Sequence, residues 1–206
     1  IINKSNIMGF YRGPNIVTDG LVLALDAASE RSYPGSGSTW SDLSGNNHDF
    51  TIDSTGLTYN AGGWFDMANG GMTNGDNITD ATACTFVFWI RTTDAQSLFW
   101  TDNGTDSYLG AYSSGNKFYN SQFGSPTLFM NTVSRANIYD FIRTGEWIMV
   151  EFKNVNMSST NPNKFNKYSN FTFGNGDIAI IQIYNRSLTA AESLQNFNAQ
   201  KSRFGL

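Results

Sequence analysis

Phe86-Val87-Phe88-Trp89-Ile90-Arg91 sets apolar side chains at odd and even positions alike. Neighbouring side chains of a strand point to opposite faces, so a run of this kind is buried on both sides and belongs in the middle of a two-layer sandwich. Working outward, Leu21-Val22-Leu23-Ala24-Leu25-Asp26 has the same two-sided character, and Ile178-Ala179-Ile180-Ile181-Gln182-Ile183-Tyr184 is a further long strand. Shorter strands are predicted at 50–52, 57–59, 64–66, 98–100, 108–112, 117–119, 127–130, 138–142 and 147–152. Asp102-Asn103-Gly104 and Ser113-Ser114-Gly115-Asn116 have the composition of hairpin turns. Residues 31–47, 70–80 and 154–167 read as long loops, the first anchored by Trp40 and Leu43, the last containing Pro162. Many strands with no alternating helices predict an all-β fold, an antiparallel β-sandwich jelly roll.

One helix is signalled. Thr189-Ala190-Ala191-Glu192 fits a capping box, in which the threonine side chain accepts from the amide of the third helical residue and the glutamate reaches back to the cap amide. Leu194 and Phe197 are expected to give this helix its apolar face, and it should stop near Lys201. Ahead of the first strand, residues 1–18 are polar, carry Gly13-Pro14 and read as an extended arm, leaving 19–206 as the folded domain.

Composition narrows the function. The chain has 206 residues, 13 Lys+Arg against 17 Asp+Glu and a net charge of −4, which argues against a basic nucleic-acid binder. A single sandwich of this length buries roughly 70% of the unfolded chain's surface without staples. Aromatic residues make up 15% of the chain and charged ones 15%, so a few large rings supply the core and Asn, Ser, Thr and Gly supply the surface. Cys84 is the one cysteine and His48 the one histidine, so neither an intrachain disulfide nor a Cys/His zinc site can form. His48 lies in Gly45-Asn46-Asn47-His48-Asp49, a turn, and Cys84 precedes the central strand as a small buried hydrophobe. No apolar run approaches the roughly 18 residues of a membrane span, so no membrane insertion is expected.

Two stretches carry a resemblance. Asp19-Gly20-Leu21-Val22-Leu23-Ala24-Leu25-Asp26-Ala27-Ala28, continued by Ser32-Tyr33-Pro34-Gly35-Ser36-Gly37 and Thr39-Trp40-Ser41-Asp42-Leu43-Ser44-Gly45-Asn46, resembles the opening of concanavalin A-like, laminin-G-type jelly rolls of bacteriophage virion proteins. The close, Ile183-Tyr184-Asn185-Arg186-Ser187-Leu188-Thr189-Ala190-Ala191-Glu192 through Arg203-Phe204-Gly205-Leu206, resembles the same proteins. The resemblance implies a lectin-like sandwich on the virion surface: a capsid decoration, fibre or tail appendage of the kind found in large tailed phages of marine cyanobacteria. It implies other virion proteins as partners, a homo-oligomer, and host-surface glycan as a further partner.

Glucanases of this superfamily place carboxylates on one strand as Glu-x-Asp-x-x-Glu, a pattern lacking here; the glutamates are Glu30, Glu146, Glu151 and Glu192, and only Glu151 lies in a predicted strand. No enzyme activity and no catalytic residue are therefore expected. Sugar binding needs flat aromatic faces with polar partners, and Trp100, Tyr108 and Tyr112 beside the 102–106 turn are the residues to test. No cofactor is implied; for calcium, Asp102 and Asp106 are the candidate ligands, with 76–80 a looser alternative, although neither stretch alone supplies the roughly six to eight oxygens a calcium ion takes. Asn-x-Ser/Thr matches, such as Asn77-Ile78-Thr79 and Asn185-Arg186-Ser187, are expected by chance in so Asn-rich a chain.

Overall fold

The predicted central strand extends over Cys84–Arg91 and lies in the middle of the larger of two sheets. The structure, a computed structural model, describes residues 15–206 except 54–55, 69, 94–96, 103–107, 112–122, 137–143, 159–161, 166, 169–170 and 173–174; at 97–102, 108, 110–111, 162–164, 167–168 and 171–172 it describes the backbone only. Among the described residues the strands are β1 (Leu21–Asp26), β2 (Thr39–Trp40), β3 (Phe50–Ile52), β4 (Thr58–Asn60), β5 (Trp64–Asp66), β6 (Met72–Thr73), β7 (Cys84–Arg91), β8 (Ser97–Asp102), β9 (Tyr108–Ala111), β10 (Thr127–Met130), β11 (Val133–Arg135), β12 (Ile148–Val155), β13 (Pro162–Phe165), β14 (Lys167–Tyr168), β15 (Phe171–Thr172) and β16 (Asp177–Tyr184). One sheet runs β11-β10-β12-β7-β16-β5-β4, with β1 also paired to β16; the other runs β2-β3-β6-β13-β8-β9, and β14 pairs with β15. The pairings along both sheets are antiparallel, and the chain is an antiparallel β-sandwich with one short C-terminal helix, as the sequence predicts.

The two-sided hydrophobicity of β7 has two separate partners. Phe86, Phe88 and Ile90 face inward, where Val150, Phe152, Ile181, Ile183, Leu23 and Leu25 meet Trp40, Phe50, Met72, Leu109 and Phe165 of the second sheet in one core. Val87 and Trp89 face outward into a second core with Met149, Ala179, Ile180, Tyr184, Leu188 and Val17. Helix α1 (Ala190–Gln200) and the 3-10 turn Lys201–Phe204 cover that outer face. Trp89 stacks on Phe204 at 4.1 Å and on Phe197 at 5.9 Å, and its indole N–H donates to Gln200 Oε1 at 2.8 Å. A tryptophan buried to this extent removes roughly 150–250 Å² from water, about 4–6 kcal/mol of transfer free energy. Each central strand thus lies between a sheet on one side and a helix on the other.

The capping box forms as predicted: Thr189 Oγ1 accepts from Glu192 N at 3.3 Å and Glu192 Oε2 from Thr189 N at 2.8 Å. The helix face differs from the expectation. Leu194 is 48% exposed, while Ser193 and Asn196 are buried beside Phe197. The reason is the sheet beneath, which presents Glu151 and the Tyr184 hydroxyl here: Ser193 Oγ donates to Glu151 Oε1 at 2.7 Å and Asn196 Nδ2 to Tyr184 Oη at 3.0 Å. A leucine would leave those buried polar atoms without partners.

Residues 15–18 lie against the same helix. Val17 is buried, its N–H donates to Asn196 Oδ1 at 2.8 Å and its carbonyl accepts from Tyr184 Oη at 3.0 Å. Six strands escape the sequence reading: the short β2, β6, β14 and β15, together with β11 and β13. β13 lies within 154–167, expected as a loop, and bridges β6 to β8; Pro162 is its first residue, where a missing N–H is tolerated, and the register shifts there. β11 turns back from β10 through Asn131 and Thr132, both at positive φ (45° and 69°), the geometry of a two-residue hairpin. The strands predicted at 117–119 and 138–142 lie outside the described residues.

Candidate functional site

The ends of three strands of the larger sheet place charges side by side on its outer face. Asp177, the first residue of β16, pairs with Asp66 of β5 on one side and with Arg91 of β7 on the other. Alternation explains the facing: Phe65 and Ile90 point into the inner core, so Asp66 and Arg91 point away from it. Thr92, Thr93, Gly145, Asn175 and Gly176 complete a cleft of about 310 Å³.

Arg91 is held on its edge and on its faces. Its Nε donates to Asp177 Oδ2 at 2.7 Å and Nη2 lies 2.5 Å from the same oxygen. Its guanidinium carbon is 5.2 Å from the ring centroid of Trp64 and 5.0 Å from that of Trp147. Those rings meet nearly edge to face, 5.9 Å apart, and form a corner that fixes the arginine by cation–π attraction, worth about 0.5–1 kcal/mol per ring at an exposed site. Burial pushes the Asp177 carboxyl above the usual carboxylate range; Arg91 draws it back, and the negative Asp66 beside it pushes it further up. Glycine lets the segment before β16 pack closely against the end of β7. A Cβ on Gly176 would lie 2.7 Å from the Arg91 carbonyl oxygen and 2.8 Å from Thr92 Cβ.

The residues picked from sequence lie in the other sheet. Trp100 of β8 stands opposite Leu109 of β9, and Thr101 opposite Tyr108, so the backbone brings Trp100 and Tyr108 to adjoining strands. Asp102 ends β8 opposite Pro162 of β13. Tyr112 and Asp106 lie outside the described residues. In the looser calcium alternative, Asn77 Nδ2 donates to Asp80 Oδ1 at 2.6 Å and Asp76 N to Asn74 Oδ1 at 2.5 Å, which is side-chain capping of a turn. Among the described residues no three His, Cys, Asp or Glu side chains converge as a metal site would require.

His48 belongs to a turn: its backbone N–H donates to Asp42 Oδ2 at 3.2 Å and its Nδ1 lies 3.6 Å from Asp76 Oδ2. Cys84 is fully buried and burial pushes its thiol up to about 12, the opposite of an activated nucleophile. Glu151 is buried beneath α1 with Ser193 Oγ on one oxygen and Lys153 Nζ 3.8 Å from the other. Glu192 serves the helix cap, while Glu30 and Glu146 are exposed. The Arg91 cleft was missed because its members are far apart in sequence; the signal available was an ionisable residue at the terminus of each of three mainly apolar strands, Asp66, Arg91 and Asp177.

No known family profile matches the chain, and no curated protein does. Solved structures share its fold. A mutant of Trypanosoma rangeli sialidase displaying trans-sialidase activity superposes with a TM-score of 0.56 at 13% identity, over 91% of this chain and 34% of the sialidase. Trypanosoma rangeli sialidase in complex with sialic acid gives 0.52 at 12% identity, over 89% of this chain and 33% of the sialidase. The botulinum neurotoxin serotype D binding domain gives 0.56 at 14% identity, over 89% of this chain and 53% of that domain. The chain thus spans about a third of those sialidases and about half of that binding domain. What is shared is the β-sandwich fold.

Proposed function

We propose that the chain is a non-enzymatic virion structural protein, a capsid decoration or a fibre or tail appendage, that displays a lectin-like β-sandwich on the surface of a phage particle. The resemblance of its two end stretches carries the virion placement, and the scaffold role is supported by the way those stretches join in one structural closure. The Asp42 carboxylate accepts from Ala24 N, Ser44 N and Ser44 Oγ at 2.8, 2.9 and 2.6 Å, tying the Trp40 loop to β1. β1 then pairs along β16, and Arg186, just beyond it, bridges Asp19 at 2.9 Å and Glu192 at 2.6 Å. The signature residues therefore build the scaffold, and the four glutamates have structural or solvent-facing places. The virion placement rests on the sequence resemblance alone. It is tested by electron microscopy of purified particles with an antibody to the recombinant chain; decoration at a symmetric position supports the reading, and its absence from particles contradicts it.

A second reading, a glycan-binding adhesin for host-surface polysaccharide, is favoured by one observation: carboxylates and a guanidinium line an open cleft, with two half-buried tryptophans packed against the guanidinium. A glycan array run with and without chelator tests it. Binding abolished by chelator would assign the activity to a calcium site such as Asp102 and Asp106, binding insensitive to chelator to a metal-free site, and silence on the array would leave the structural role alone.

A further inference from the structure

The Arg91 cleft sets fixed acceptors against a fixed donor. Asp66 and Asp177 are direct cross-strand partners, a relation that starts their side chains about 4.5–5.5 Å apart. Asp66 is exposed, with Oδ1 accepting from Ala68 N at 3.0 Å, whereas the Asp177 and Arg91 side chains are 16% and 35% exposed and joined to each other. Carboxylates only accept and guanidinium only donates. A hydroxyl does both, so a pair of neighbouring hydroxyls can donate to a carboxylate while accepting from Arg91. Two carboxylates against one guanidinium leave the cleft negative, which disfavours an anionic sugar. Its lining residues are all polar or glycine, which does not suit an apolar ligand, and Arg91 takes one of the Asp177 oxygens, Oδ2, through two nitrogens, which leaves too few oxygens for a cation. The space of about 310 Å³ is at the small end of ligand pockets and suits the end or one unit of a chain.

We propose that this cleft binds a neutral saccharide through adjacent hydroxyls, with Asp66 and Asp177 accepting and Arg91 donating. The proposal rests on the glycan-binding reading and gives it a site on the larger sheet, away from the β8–β9 hairpin.

The test presents the full chain to immobilised mannan, galactan and dextran as neutral probes and to polygalacturonate and polysialic acid as acidic ones. Asp66→Ala and Asp66→Asn are compared with wild type and with Trp100→Ala, and thermal melting verifies the fold of each; Asp66 is exposed, so its variants are expected to fold. The expected result is binding to a neutral probe, none to the acidic probes, and a loss of about tenfold or more in both Asp66 variants, the scale of one hydrogen bond to a charged group. Preference for an acidic probe, or Asp66 variants that bind as wild type does, overturns the proposal. Loss in Trp100→Ala alone overturns it while leaving the glycan-binding reading standing; silence on all five probes removes both.

Discussion

Ser193 on α1 donates to Glu151 on β12 at 2.7 Å, and both residues are buried. Burial pushes the Glu151 carboxyl above its ordinary range, while Ser193 and then Lys153 pull it back. A carboxyl raised on folding contributes stability that is fully present below its unfolded value and is lost as pH rises through its folded value. Ser193→Ala removes the lowering hydrogen bond, so its penalty should be about 1–3 kcal/mol at pH 7 and smaller near pH 4. Urea unfolding at both pH values checks this, and equal penalties would contradict it.

Glu192 behaves in the opposite sense. Arg186 and the Thr189 cap lower its carboxyl to about 2. Stability from this group is present above the ordinary carboxylate range and is lost as pH falls through about 2. Glu192→Gln should therefore flatten the acid limb of the melting curve between about pH 4.5 and 2, and Thr189→Ala should cost about 1 kcal/mol at neutral pH through loss of the cap. An unchanged acid limb in Glu192→Gln would show that the pair carries no linkage.

Asp42→Ala strips acceptors from the amides of Ala24, Ser44 and His48 together. With each stranded partly buried donor worth about 1–3 kcal/mol, the loss should exceed about 2 kcal/mol by chemical denaturation. A loss under about 0.5 kcal/mol would mean that the 41–49 loop does not fasten β1.

Cys84 should be inert to a thiol reagent in the native protein, given a thiol raised to about 12 and no exposed surface, and should react once denaturant unfolds the chain. Stoichiometric labelling under native conditions would contradict the buried position.

The sandwich was legible because its central strands abandon alternation: Phe86 to Ile90 can be apolar throughout only where both faces are covered. The helix start was legible because Thr189 and Glu192 stand at capping-box spacing. What covers the outer face was less so. Leu194 suggested an apolar helix side, but Glu151 and Tyr184 across the gap select Ser193 and Asn196. Pro162 suggested a loop, although a strand's first residue tolerates proline. The Arg91 cleft depends on pairing Asp66, Asp177 and Arg91 across three strands, and register between distant segments is set by packing rather than by any local pattern.

The most direct test of the central claim is the location of the chain on purified phage particles, imaged with antibody label and with an image reconstruction of the surface. The account predicts a sandwich-sized density at repeated, symmetry-related surface positions, carrying the label. Particles that are unlabelled, with the chain recovered only from the soluble fraction of the lysate, would contradict it.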